Sequence, residues 1–146
     1  SCHGPGDRHG FVPRLIGIAR ATGVSGYPND GSNCWPAVHR FDTARLFRLA
    51  LEQAPAASTL HAVADEGVPI RDIAEVIGRH LGLRVAAISS EDIGEHFGSM
   101  AAFVALDGLA SSKLTQQLLG WKPVEPGLID DLEAGHYFEV AQPLAA

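Results

Sequence analysis

Cysteine is almost missing from this chain of 146 residues, and Cys2 and Cys34 stand apart without any Cys-x-x-Cys pattern. That excludes a disulfide framework and a thiolate zinc site, and a reducing compartment, the cytoplasm, is the expected setting. Long hydrophobic runs are missing too. The longest, Met100 to Leu106, falls far short of the roughly 20 apolar residues needed to cross a bilayer, so no membrane partner is expected. Positive charge is scarce: 11 Lys and Arg against 17 Asp and Glu give a formal net charge of −6. Arg8, Arg14 and Arg20 are spread out rather than clustered, which argues against a nucleic acid partner. Seven histidines contain no His-x-x-x-His and no His-Glu-x-x-His, so no metal ligands are assigned.

What is present is a core-forming chain, 46% hydrophobic and long enough for one domain, expected over 1–140 with a frayed tail at 141–146. Apolar residues at 11, 12, 15, 16 and 19 predict a one-faced helix over Phe11–Ala21, stopped by Gly23. Val24–Pro28 and Cys34–His39 read as extended pieces joined by a hairpin or wide loop at Asn29-Asp30-Gly31-Ser32. Asp42 is the expected N-cap of a helix through Gln53, whose apolar residues surround it so widely that burial is expected. Thr59–Ala64 and Arg84–Ile88 are strand candidates, and Pro69–Leu81 is the clearest helix, with Gly82 as its stop. Ser90 and Ser111 are expected to cap later helices, and Phe97, Met100, Phe103 and Val104 are spaced for one helical face. Pro126-Gly127 leads into a last helix at Leu128, Ile129 and Leu132. The fold class is α/β, helix-rich with a few short strands and an incomplete parallel sheet.

Four motifs fall in a telling order: Gly4-Pro5-Gly6-Asp7, then Asn29-Asp30-Gly31, then Val38-His39-Arg40-Phe41-Asp42, and finally Leu119-Gly120-Trp121-Lys122-Pro123. From residue 3 to about residue 133 the chain resembles the C-terminal portion of extended short-chain dehydrogenases/reductases, the NAD-dependent epimerase/dehydratase family. The resemblance implies the substrate-binding part of a Rossmann-type enzyme whose parent uses NAD(P) and acts on a small-molecule substrate. That family works through a Tyr-x-x-x-Lys pair, but here Tyr27 is followed four residues on by Gly31 and Tyr137 by Ala141. No catalytic residue is therefore assigned, nor any cofactor-binding one. Gly4, Gly6 and Gly10 lack the upstream strand and βαβ context of a dinucleotide fingerprint.

In nucleotide-sugar members of the family an Arg follows the Gly-Asp-Gly element, whereas this chain has Cys34-Trp35. A smaller or more apolar carbonyl substrate is the expectation, with Phe11 and Trp35 as pocket walls and Asn33 and His39 shaping the choice. His39 and Asp42 could be an acid/base dyad, but a helix cap with its hydrogen-bonded neighbour explains them more simply. Two readings remain: a substrate-binding part needing a partner half, inactive alone, or a standalone non-catalytic binding or assembly module. Apolar faces left uncovered under either reading predict a homo-oligomer.

Overall fold

A computed structural model describes residues 1–139; the expected tail at 141–146 lies outside the described residues. The order is β1 (Cys2–His3), α1 (Phe11–Thr22), β2 (Val24–Pro28), β3 (Cys34–His39), α2 (Arg40–Gln53), β4 (Asp65–Pro69), α3 (Ile70–Leu81) and β5 (Arg84–Ile88). Then follow α4 (Ile93–Phe97), a 3-10 turn (Gly98–Met100), α5 (Ala101–Val104), α6 (Lys113–Leu119) and α7 (Leu128–Glu133).

Helix α1 buries Val12, Leu15, Ile16 and Ala19, an i, i+3, i+4, i+7 stripe, and ends where Gly23 turns left-handed at φ 72° and donates to the Ala19 carbonyl at 2.9 Å. Helix α3 buries Ile70, Ile73, Ala74 and Ile77 on one face and closes the same way at Gly82. Both helices pack on β2, which pairs in parallel with β5 from Val24↔Arg84 to Pro28↔Ile88. Gly78 lets α3 approach β5 closely, because a Cβ there would collide with Val85.

A second sheet has the order β1-β3-β4, parallel between β1 and β3 and antiparallel between β3 and β4, with an irregularity between Trp35 and Ala37. β2 and β3 therefore never form the hairpin; their linker is a wide loop, and each finds a different partner. Thr59–Ala64 is not a strand. Its one recorded backbone bond to β3 is Ala64 N–H donating to the Ala37 carbonyl, and the ladder begins only at Asp65. A strand without a neighbour on either side has nothing to satisfy its backbone.

Three capping expectations move by a few residues. His39 caps α2, its Nδ1 accepting from the Phe41 N–H at 3.3 Å, while Asp42 lies within the first turn. Asp92 precedes α4 in place of Ser90, and Ser112 precedes α6 in place of Ser111. The face expected over 97–104 is broken into α4, a 3-10 turn and α5; it buries Phe97, Met100 and Val104 but leaves Phe103 half exposed. Helix α2, expected to be enclosed, buries only Asp42 and Leu46, leaving Phe47 65% and Leu51 89% exposed.

Candidate substrate-binding site

Phe11 opens α1 and Trp35 lies in β3, and the two rings stack with centroids 4.5 Å apart and planes 22° from parallel. Offset stacking of this kind adds about 0.5–1.5 kcal/mol beyond the area it buries. With His9, Arg14, Met100 and Phe103 the pair lines a surface cavity of about 270 Å³. Arg14 reaches across it to the Met100 sulfur at 3.6 Å. The cavity thus has aromatic and thioether walls with one guanidinium and one imidazole at its edge.

Asn33 lies behind that wall. Its side-chain amide donates to the Val104 carbonyl at 2.8 Å and to the Leu106 carbonyl at 2.9 Å, tying the end of α5 to β3 and so setting where Phe103 and Met100 stand. Cys34, where an Arg was looked for, donates its backbone N–H to Asp107 at 2.8 Å and its thiol to the Ser32 carbonyl. Phe11 and Trp35 are therefore brought together, Asn33 supports them from behind, and His39 belongs elsewhere.

His39 is buried in a polar cluster beside β1. Its ring meets His3 edge-on at 5.4 Å, and its Nε2 is 4.0 Å from Asp131 Oδ1. His3 Nδ1 bonds Asp131 Oδ2 at 2.8 Å, and His136 Nε2 is 3.9 Å from Oδ1. Burial holds His3 below the ordinary imidazole value, against the opposing pull of the Asp131 carboxylate. Among the described residues no group of three His, Cys, Asp or Glu is arranged to hold a metal ion.

Asp42 is no dyad partner of His39. Fully buried, it accepts the backbone N–H groups of Val124 and Glu125, each at 3.0 Å, and pairs with Arg45, while its carbonyl accepts the Trp121 indole N–H at 3.0 Å. Burial opposes its ionisation, but those two amides and the guanidinium outweigh burial and hold the carboxyl below the usual range. The Leu-Gly-Trp motif is thus an anchor: Leu119 and Trp121 are buried with Val38 and Leu46.

The glycines of the opening turn make room for the chain's own side chains. A Cβ on Gly4 would come within 2.8 Å of His39 Nε2, one on Gly6 within 2.8 Å of the Arg40 guanidinium, and one on Gly10 within 2.6 Å of the Asp7 carboxylate. Asp7 already accepts the Gly10 N–H at 2.8 Å, at the end of α1 where a pyrophosphate would need positive potential.

The cluster around Asp131 escaped the sequence reading because its members come from positions 3, 39, 131 and 136, with no spacing to connect them. Arg14 was visible only as one of several scattered arginines.

The geometry has counterparts of known structure. The dTDP-glucose 4,6-dehydratase DesIV of Streptomyces venezuelae, solved with NAD and TYD, superimposes with a TM-score of 0.68 at 17% identity, over 94% of this chain and 41% of that one. The UDP-glucuronic acid 4-epimerase of Bacillus cereus, solved with UDP-glucuronic acid and NAD, gives 0.64 at 20% identity, over 93% of this chain and 41% of its own. The chain has the α/β fold of the C-terminal part of NAD-dependent epimerases and dehydratases, the extended short-chain dehydrogenase/reductase fold.

In sequence it is 54% identical over 136 residues to an uncharacterized protein of Schizosaccharomyces pombe and 48% identical over 136 residues to one of Saccharomyces cerevisiae. Each match covers 93% of this chain, which spans 46% and 45% of those relatives, about half their length. No family model matches. Among the described residues no helix is long and apolar enough to cross a membrane.

Proposed function

We propose that this chain is the substrate-binding part of an NAD(P)-dependent oxidoreductase or epimerase/dehydratase and that it has no activity alone. The observation that carries the reading is the likeness over nearly all of this chain to about two fifths of enzymes solved with NAD. The nicotinamide nucleotide and the acid/base pair belong to a partner half, since the Gly4–Gly10 turn is filled by His39, Arg40 and Asp7.

The substrate is a small carbonyl compound with an apolar body, held against the Phe11–Trp35 stack. Such a compound suits a cavity of about 270 Å³ better than a nucleotide sugar does; Cys34 stands where the resemblance expects an Arg, and the Arg14 guanidinium at the cavity's edge is turned to the Met100 sulfur. Asn33 acts by fixing the wall. His39 shapes the site only from a distance, through β3.

The test combines two readouts. In a Trp121→Phe background the remaining indole is Trp35, whose fluorescence should be quenched saturably by small apolar aldehydes or ketones; Phe11→Ala should weaken that binding about tenfold. NADPH should bind stoichiometrically only after a complementing cofactor-binding segment is added, and carbonyl-dependent NADPH oxidation should then follow. Carbonyl binding absent under all conditions would remove the pocket assignment. Failure of every complementing segment would favour a standalone binding or assembly module, which the exposed Phe47 and Leu51 also suit.

A further inference from the structure

Asp131 gathers three imidazoles from three separate segments: His3 of β1, His39 at the end of β3, and His136 just beyond α7. His3, His39 and Asp131 are each at least nine-tenths buried, and the Nε2 atoms of His3 and His136 are buried without a hydrogen-bond partner among the described residues. One carboxylate can balance one imidazolium. A second proton would put like charges side by side in a site where only His136 keeps appreciable contact with solvent.

The site is also tied to a turn. Tyr137 accepts the Gly4 N–H through its hydroxyl at 2.8 Å, and the Phe138 N–H bonds the Gly135 carbonyl at 2.9 Å. The His136-Tyr137 face of this turn walls a cavity of about 1020 Å³, whose other sides include Pro5, Asp7, Arg8 and Arg20. His39 adds a second link. Its Nδ1 is an acceptor for the Phe41 N–H, which places its proton on Nε2; a second proton on Nδ1 would turn that acceptor into a donor facing a donor and end the cap of α2.

The remaining charged neighbours do not undo this balance. Asp65 of β4 adds negative potential at His3 but is engaged by the Leu128 N–H at 2.9 Å. Arg40 faces the Gly4–Gly6 turn and bonds the Pro5 carbonyl, adding positive charge on the histidine side. On the far side of the turn His80 stacks on Phe138 and pairs with Glu133, which Arg79 also pairs, while Arg20 bonds the Phe138 carbonyl. Asp7 lies near the Tyr137 phenol.

We propose that His3, His39 and His136 around Asp131 form a proton-operated latch: uptake of protons from solvent by more than one imidazole releases the His136–Phe138 turn from Gly4 and opens the cavity it walls. The latch is closed while the one carboxylate has no more than one imidazolium to balance, and opens on mild acidification. Desolvation of His3, which disfavours its charged form, works in the same direction.

Amide hydrogen exchange by NMR on the full chain, corrected for the intrinsic pH dependence, tests the latch between pH 7.5 and 5.5. Protection of Gly4 and Phe138 should fall by roughly tenfold or more, because uptake of more than one proton makes the opening steep in pH. The β2–β5 ladder, which shares only in the general loss of stability below pH 6.5, should lose markedly less protection. The double variant His39→Gln, His136→Gln should flatten the response at Gly4 and Phe138, and Tyr137→Phe should give the acid pattern already at pH 7.5. An undiminished pH response in the double variant would overturn the latch. So would loss of protection shared equally by the β2–β5 ladder, or a Tyr137→Phe chain still protected at Gly4 at pH 7.5.

Discussion

Among the described residues, fifteen buried apolar side chains close into one cluster over β2 and β5, drawn from α1, α3, the segment at 97–104 and α7 together with Ala37 of β3 and Val68 of β4; the cluster around α2 holds Val38, Leu46, Leu119 and Trp121. The first region has helices on the sheet and residues such as Ile73, Val104 and Leu132 with no exposed surface at all. The second offers Phe47 and Leu51 on the outer face of α2 and Leu114 and Leu118 on α6, all at least half exposed. A helix with apolar residues this far around it has more than one face to cover, and this chain covers one. The contrast is what a substrate-side part joined to a larger body would show, and equally what an assembly module would show.

The largest effects should come from emptying each cluster. Trp121→Ala removes a ring that is 2% exposed and leaves the Asp42 carbonyl without its indole donor; Ile73→Ala hollows the other core at a residue with no exposure. The first should cost about 3–5 kcal/mol and the second about 2–5 kcal/mol, measured from urea unfolding midpoints. The location should differ. Trp121→Ala should first release protection in α2 and α6, while Ile73→Ala should lower it throughout. Equal loss everywhere from both would mean that the two clusters unfold as one unit and would remove the distinction.

The sequence disclosed the first region far better than the second. In α1 and α3 one apolar stripe and a glycine stop agree, so their limits could be read to within a residue or two. In α2 the apolar residues surround the axis; that pattern says how much surface needs cover but not whether the chain supplies it. Thr59–Ala64 has strand composition, yet a strand is a relation between two segments and its neighbour cannot be read locally. Asp42 suits an N-cap, but its partners are amides more than eighty residues away. Of the candidate site, the resemblance pointed to Phe11 and Trp35, and the two rings do meet at one cavity, whereas the Asp131 cluster depends on His3 meeting a residue 128 positions on.

Acidification should act in two separate windows. His3, and His96 beside β2, have folded pKa values below the ordinary 6.5, chiefly through burial, so the unfolded chain binds protons that the folded chain refuses. Their contribution is complete above that value and is lost as pH falls below it. Asp42 has its carboxyl held below the ordinary 3.8, so its contribution persists above that value and disappears as pH falls through the folded pKa. Urea midpoints should therefore drop in two steps. Asp42→Asn should shrink the lower step, to which the exposed Asp30 and Glu133 add little, and keep the upper one; an unchanged lower step in that variant would show that Asp42 is not what holds the α2 region in acid.

The smallest effect on folding, and the one that speaks most directly to function, should come from the outer face of α2. Phe47 and Leu51 lie four positions apart, one turn, so they form a continuous apolar strip, and each is exposed enough that Phe47→Ser with Leu51→Lys should change stability by only about 0.5 kcal/mol. Association is another matter. If this strip is where chains meet, the unsubstituted chain should sediment above monomer mass at micromolar concentration and the double variant should not, while carbonyl quenching of Trp35 stays unchanged because the Phe11–Trp35 cavity is lined by other elements. If the strip instead seats a cofactor-binding half, the chain should be monomeric and the double variant should lose complementation while still binding the carbonyl compound. The two outcomes separate a face used between copies from a face used within one enzyme, and each assigns the uncovered side of α2 a definite occupant.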